Sequence, residues 1–382
     1  MIVRKYYVII FSLLLTTGFL HAQESDTAKK TEHESVHGIV GSPFIDYKPE
    51  TGFAFGAAAL YYFHLGNEKP KGQNDSTKPV VNRPSSVTLG ITYTQRHQFS
   101  TGTDYTFYFE EDKDYIFGGF DFKRIPFEFF GLGDHSPKNP IDNYTPLWRG
   151  GDILFTRNLY RTPDGEGLSA GIGTEYRYDL ILSSDSGGIL QTGSVPGSKG
   201  GLSAGWGFIV DYDTRDNVFS SHEGLYADFR TMVYSKFVGG SFNFTRVTLD
   251  ARDFIPVLST HTFGMQGLLT FVNGVEPFYT MAGLGGEQVM RGIFESRFRD
   301  NDMAVFQAEY RMPVIWRFGL VGFADIGEVA PDISGFNLSG IKWTAGAGIR
   351  LIVSEAEHVV VRLDYGFTYD SSELYLFVNE AF

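Results

Sequence analysis

His33-Glu34-Ser35-Val36-His37 matches, letter for letter, the spacing by which two histidines one helical turn apart hold zinc while the glutamate between them activates a metal-bound water. That chemistry needs a stable helix, and here the pattern sits in a polar tail that meets Gly38 at once, so zinc catalysis is not expected. Gly-x-Ser-x-Gly occurs twice, as Gly167-Leu168-Ser169-Ala170-Gly171 and Gly201-Leu202-Ser203-Ala204-Gly205. A nucleophile elbow requires a sharp strand-to-helix turn beneath its serine. Both copies instead open alternating stretches that continue into Gly171-Ile172-Gly173 and Gly205-Trp206-Gly207, which read as small residues in a wall of strands. The Gly-x-Gly pairs lack a following helix, so no dinucleotide site is expected. No catalytic residue, metal or cofactor is assigned, and the chain is read as something other than an enzyme.

One constellation remains. Val289, Met290, Arg291 and Gly292 lie in the Gly-rich stretch Leu284 to Gly292, and Phe323-Ala324-Asp325-Ile326-Gly327 follows downstream. An arginine on a loop that folds back into a closed barrel is costly to bury unpaired, and an inward-facing aspartate lets it dock through charge-assisted hydrogen bonds. Asp325 shares a strand face with Val321 and Phe323 and would point inward, where Arg291 could meet it; on spacing alone a solvated loop arginine is the commoner reading. Glu309, Arg350 and Asp364 either join them or are ordinary hydrated charges of the interior.

The elements that would position these residues are strands. Period-two alternation dominates after Thr51 and helical periodicity is nowhere sustained. Val87, Leu89, Ile91 and Tyr93 oppose Thr88, Gly90, Thr92 and Thr94; Ala304, Phe306, Ala308 and Tyr310 oppose Gln307, Glu309 and Arg311. Strands are expected at 51–65, 85–96, 99–110, 114–124, 127–133, 144–158, 167–183, 200–212, 223–235, 241–253, 260–273, 303–312, 316–329, 340–352, 358–369 and 372–382. Alternation alone leaves a sandwich and a barrel open. Connection lengths decide. The segments 66–84, 184–199 and 274–302 follow odd-numbered strands and are long, while connections after even strands stay short. Long loops on one rim and short turns on the other indicate an all-β, sixteen-stranded antiparallel transmembrane barrel, with loop 274–302 folded into the lumen.

Composition agrees. Arg4 and Lys5, the apolar stretch Tyr6 to Leu20, and Leu20-His21-Ala22 before Gln23 read as a signal peptide over residues 1–22. The apolar run is shorter than the roughly 20 residues of a membrane helix. A net charge of -13 repels nucleic acid. The sequence has no cysteine, and its 16% aromatic content with 45 glycines suits a closed barrel, whose backbone groups all pair between strands.

These motifs together resemble the superfamily of outer-membrane assembly and translocation barrels, which includes the barrel-assembly insertase, TamA, the two-partner secretion transporters and the bacterial surface antigens. The Arg291 stretch is similar to their VRGY/VRGF loop, and the Phe323-to-Gly327 strand to the wall motif that anchors it. Asp211 to Asn217 followed by Gly224 resembles their DTRDN turn, and Phe129 to Gly133 their FYGIG segment. The sequence ends on Phe382, with Tyr375 and Phe377 upstream, like the terminal aromatic signal that directs such barrels to insertion. The stretch from Gln23 to Thr51 is too short for the periplasmic domains of better-known members. Residues 23–50 are therefore expected to be a periplasmic tail and short pre-barrel extension, and 51–382 the barrel.

The resemblance implies residence in the outer membrane of a Gram-negative bacterium, with both termini periplasmic and the lipid itself as a partner. It implies insertion or translocation of proteins, or of lipids, through a seam between strands 51–65 and 372–382. Unfolded outer-membrane or secreted proteins would be clients, and a separate periplasmic partner would replace the missing domains. The alternative is a passive surface barrel, a narrow pore, or the membrane subunit of a complex.

Overall fold

A computed structural model describes residues 38–63, 65, 85–109, 113–162, 167–217, 220–258, 260–354 and 359–382. The signal peptide and His33-to-His37 expectations lie outside these residues. The chain is almost entirely strand. The first half carries β1 (Gly38–Lys48), β2 (Gly52–Phe63), β3 (Ser85–Thr94), β4 (Phe99–Phe109), β5 (Asp114–Arg124), β6 (Phe127–Phe129), β7 (Asp142–Arg161) and β8 (Gly167–Ser184). A short helix α1 (Ile189–Thr192) precedes β9 (Gly201–Asp213), β10 (Gly224–Tyr234), β11 (Phe244–Val257) and β12 (His261–Gly274). There follow β13 (Ala282–Leu284), β14 (Phe298–Asp300), β15 (Asp302–Ile315), β16 (Phe318–Ala330), β17 (Lys342–Ser354), β18 (Val359–Phe367) and β19 (Ser372–Val378).

Seventeen of these form one sheet, and β13 with β14 a separate small hairpin. Because β5 and β6 run consecutively along β7, they make one wall strand, and the sheet closes as a sixteen-stranded antiparallel barrel. Each strand splits its side chains as alternation requires. On β16, Leu320 and Ile326 are exposed while Val321, Phe323 and Asp325 are buried. On β18, Leu363 and Tyr365 are exposed while Arg362 and Asp364 are buried. An apolar exposed face around a charged interior reverses the arrangement of a soluble sandwich and suits a wall facing lipid.

The number of strands agrees with expectation through two offsetting differences. The wall begins at Gly38, because β1 pairs with β2 along its whole length, from Gly38↔Tyr62 to Lys48↔Gly52. The segment read as a pre-barrel extension is thus the first wall strand. Conversely, 127–133 is no independent crossing: only Phe127–Phe129 are strand, and they continue β5 after a break at Ile125-Pro126, where proline removes a ladder donor. The shift moves the connections before β6 to the other rim. With an even number of strands Gly38 and Val378 share one rim, called here the terminal rim, on which β2 ends and β3 begins. The connections 185–200, 275–301 and 331–341 lie together on the opposite, loop rim.

Segment 275–301, between β12 and β15, is almost wholly buried. Its hairpin pairs Ala282 with Asp300 and Leu284 with Phe298. Leu284, Met290, Ile293 and Phe298 pack with Leu268, Met303, Val305 and Val329 of the wall. A second cluster joins Phe278, Tyr279 and Met281 to Phe129, Tyr144, Leu190 and Val195, tying two loop-rim connections to the ends of β6 and β7.

Candidate functional site

Arg291 reaches the inner wall through a backbone that few other residues would allow. Met290 stands at a left-handed φ of 55° and its N–H donates to Gln307 Oε1 at 2.8 Å. Gly292 has φ 113°, and a Cβ there would lie 2.5 Å from the Phe367 nitrogen and 2.6 Å from the Gly366 carbonyl carbon. Glycine alone permits both the dihedral and the approach to β18. The Gly292 N–H donates to the Tyr375 hydroxyl at 3.2 Å, which in turn donates to the Ile293 carbonyl at 3.2 Å. Ser371 Oγ donates to the Gly292 carbonyl at 2.8 Å.

So held, the Arg291 guanidinium is 0% exposed. Nη1 donates to Asp364 Oδ2 at 2.7 Å and Nη2 to Glu309 Oε2 at 2.8 Å. Its carbon lies 3.6 Å from the centroid of the Phe323 ring, a desolvated cation–π contact. The carboxylates are shared. Asp364 also accepts from Arg362 Nη1 at 2.7 Å and from Arg350 Nη1, and Glu309 accepts from Arg311 Nε at 2.6 Å. Arg350 Nε donates to Glu380 Oε2 at 2.7 Å. Four arginines thus face Glu309, Asp364, Glu380 and, at longer range, Asp325, so the cluster's formal charges balance. Buried charge on this scale is tolerable only because every ion has an opposite partner.

The expected hydrogen bond between Arg291 and Asp325 is not formed. Asp325 accepts from Thr344 Oγ1 at 2.8 Å across the β16–β17 ladder, and its other oxygen is buried without a partner. The guanidinium extends instead to acids on β15 and β18, which flank the loop on either side. The wall motif still acts locally, through its other two members. Phe323 lies beneath the guanidinium, and a Cβ at Gly327 would meet Met290 Sδ at 2.7 Å, so that glycine makes room for the loop. Glu309, Arg350 and Asp364 all join the cluster. Val289 packs at the edge of the cluster around Met290.

The terminal aromatics divide. Tyr375 faces inward and holds the loop backbone, and Phe377 lies 5.4 Å from the Arg362 guanidinium. Phe382 is not on the last strand, which ends at Val378; it is buried against Phe254. Two contacts went unforeseen in the sequence. Gln307 fixes the Met290 amide, and Glu50, in the turn after β1, accepts the Glu295 N–H at 2.6 Å. Gln307 was visible as the inward neighbour of Glu309 on an alternating strand. Both Gly-x-Ser-x-Gly copies lie in strands, at the starts of β8 and β9; Ser169 donates to Asp211 at 2.6 Å within the wall. Among the described residues no group of His, Asp and Glu is arranged to hold a metal ion.

A family model described as the Omp85 superfamily domain matches residues 71–374. No curated protein matches the sequence. Among solved structures, BamA from Haemophilus ducreyi lacking POTRA domains 1-3 is similar with a TM-score of 0.59 and 12% identity, over 91% of this chain and 70% of that one. CdiB from Acinetobacter baumannii has a TM-score of 0.59 and 10% identity, over 91% of this chain and 60% of its own. CdiB from Escherichia coli has a TM-score of 0.59 and 13% identity, over 92% of this chain and 63% of its own. At such identities the structural likeness speaks to the fold. The chain spans less than two thirds of either CdiB protein.

Proposed function

This chain belongs to the Omp85 superfamily, a family of outer-membrane barrels concerned with insertion or translocation, and we propose that it assists the insertion of proteins into the outer membrane through the seam between β1 and β19. One observation carries the reading. Elsewhere neighbouring wall strands share ladders of seven or more register pairs, as β18 and β19 do from Val361↔Val378 to Phe367↔Ser372. β1 and β19 share a single pair, Tyr47↔Leu376. Among the described residues, 38–46 share no further register pair with β19. A strand edge that shares so little ladder with its neighbour is a template for an incoming strand, and opening the seam sacrifices almost no ladder hydrogen bonding.

In this reading both termini and the terminal rim face the periplasm, and segment 275–301 enters the lumen from the cell-surface side as a plug fixed by Arg291. The plug anchors β15, β18 and β19 to one another, so the edge stays presented while the rest of the wall is held. No catalytic group is needed, since the client's own pairing energy drives its transfer. Clients are unfolded outer-membrane or secreted proteins, delivered by a separate periplasmic partner.

The test is reconstitution in liposomes, following the folding of a urea-unfolded outer-membrane protein. Expected are faster folding than in empty liposomes, loss of that gain in Arg291→Ala, and reversible loss on oxidising a Tyr47→Cys/Leu376→Cys pair. No acceleration over empty liposomes would instead indicate a passive or partner-dependent barrel.

A further inference from the structure

Arginines of the wall such as Arg291's neighbours Arg311, Arg350 and Arg362 are buried on its inner side. Arg124 and Arg149 do the opposite. On β5 the outward positions are even-numbered, with Phe120 exposed, Phe122 half-buried and Arg124 exposed. On β7 they are odd-numbered, and Arg149 is exposed in line with Ile153 and Phe155. The ladder sets Arg124 opposite Leu147 and Phe122 opposite Arg149. The two arginines are therefore diagonal neighbours on adjacent antiparallel strands, about 7 Å apart at Cβ.

No acid of the wall answers them. On its other side Arg124 faces Phe99 of β4, and Arg149 faces Tyr178 of β8, whose ring centroid lies 5.4 Å from the guanidinium carbon. No diagonal neighbour across these ladders is acidic. Glu128, further along the same wall strand as Arg124, is taken by Arg96 at 3.3 Å. The contrast is with Arg157, at the terminal-rim end of β7, which is paired with Asp114 at 2.6 Å. Phe99 opens β4 directly after the β3–β4 turn, so the arginine pair lies towards the loop rim. The Phe99 and Phe122 rings stand 6.3 Å apart beside it. Aromatic rings of this kind mark the headgroup level of a barrel, where a lipid-facing cation costs least.

We propose that Arg124 and Arg149 together bind the phosphate of a membrane lipid headgroup in the leaflet at the loop rim, with the lipid's acyl chains lying along Phe120 and Ile153. Charge complementarity carries the assignment: two adjacent cations, without a protein anion, stand at the depth where lipid phosphates lie. A guanidinium is a planar fork of N–H donors suited to phosphate oxygens, and forks from two strands converge on one group. The contact of Arg149 with the Tyr178 ring holds one fork in place. In the orientation proposed above this leaflet is the outer one, but the site itself requires neither that orientation nor an opening seam.

The sequence has no cysteine, so a single engineered thiol can carry a fluorophore. Phe120→Cys labelled with bimane reports the acyl chains beneath the pair, and Ile326→Cys, an exposed position on β16, reports a distant part of the wall. Each is placed in phosphatidylcholine vesicles containing a small fraction of nitroxide-bearing phosphatidic acid or nitroxide-bearing phosphatidylcholine, and only chains with the electrophoretic mobility of a folded barrel are scored. At the Phe120→Cys position phosphatidic acid should be preferred about tenfold, and at Ile326→Cys not at all. Arg124→Gln with Arg149→Gln should abolish the preference. Lys199→Gln with Lys236→Gln, which removes the same charge from exposed loop-rim positions, should leave it. Equal quenching by the two lipids at Phe120→Cys, an equal preference at both labelled positions, or a preference that survives loss of the arginines would overturn the proposal. So would relief of quenching by inorganic phosphate, which would make the site one for free phosphate. No client is present, so the outcome is independent of whether the barrel accelerates folding.

Discussion

Replacing Arg291 by Ala removes two charge-assisted hydrogen bonds and a ring contact at once. Breaking a buried ion pair from one side costs roughly 3–5 kcal/mol, mostly because the partner charge is left buried and unpaired. Here the orphan penalty is softened. Asp364 keeps Arg350 and Arg362, and Glu309 keeps Arg311, which favours about 3 kcal/mol, the low end of that range. The desolvated contact with Phe323 adds about 1–2 kcal/mol, for about 4–5 kcal/mol in all. Asp364→Asn should cost about as much, since three arginines lose their shared anion. Asp325→Asn should cost under about 1 kcal/mol, because asparagine can still accept the Thr344 hydroxyl and no guanidinium contacts Asp325. Equilibrium urea unfolding in lipid vesicles, followed by tryptophan fluorescence, measures all three. Limited proteolysis within 285–296 tells release of the segment from unfolding of the wall. A silent Asp364→Asn beside an Asp325→Asn as damaging as Arg291→Ala would refute the reasoning and restore the Arg291–Asp325 pair.

Gly292→Ala should destabilise by about 3 kcal/mol or more, because it combines a φ of 113° with a Cβ pressed onto β18; the same urea series reads it, and a loss below about 1 kcal/mol would mean the loop can shift. Glu50 sits in the turn beyond β1, where burial first, and the charge of Glu295 second, push its carboxyl up to about 8, with Lys48 opposing. A raised acid binds its proton more tightly in the folded state, so this contribution is complete below pH 4.5 and is lost as pH rises towards 8; the ceiling is about 5 kcal/mol, reduced if the turn opens to water. Melting by electrophoretic mobility at pH 5, 7 and 9 should show a fall that Glu50→Gln lacks; parallel pH profiles would exclude this role. Oxidation of the Tyr47→Cys/Leu376→Cys pair should raise the melting temperature while suppressing any client folding, whereas a lock without effect on folding would separate activity from the seam.

The wall was legible because its code is local. Alternation of two, with apolar residues outward and charged residues inward, identifies β3, β15, β17 and β18 without any tertiary information, and the DTRDN-like motif falls at the end of β9. β1 escaped for a physical reason. Gly41 and Pro43 dilute its apolar face until only Ile39, Ile45 and Tyr47 mark it, and proline is a poor strand residue. The break at Ile125-Pro126 had the opposite effect and made one bent strand look like two.

The partner of Arg291 was misread because a matching motif marks a strand, while the reach of the side chain decides which inward acid it meets. Asp325 lies on the strand that supplies Phe323 and Gly327, so its motif is right and its direct pairing is not. A guanidinium is a fork with donors on both arms, and here Glu309 of β15 and Asp364 of β18 each take one arm while Asp325 accepts from Thr344. Glu309 and Asp364 are then drawn into contact with Arg311, Arg350 and Arg362, and through Arg350 and Arg311 the network runs on to Glu380 and Phe382. The residues that hold segment 275–301 and those that hold Glu380 and Phe382 are therefore parts of one charge-balanced cluster. A change at Arg291 bears on both, because the two acids it binds are shared with Arg350 and Arg311.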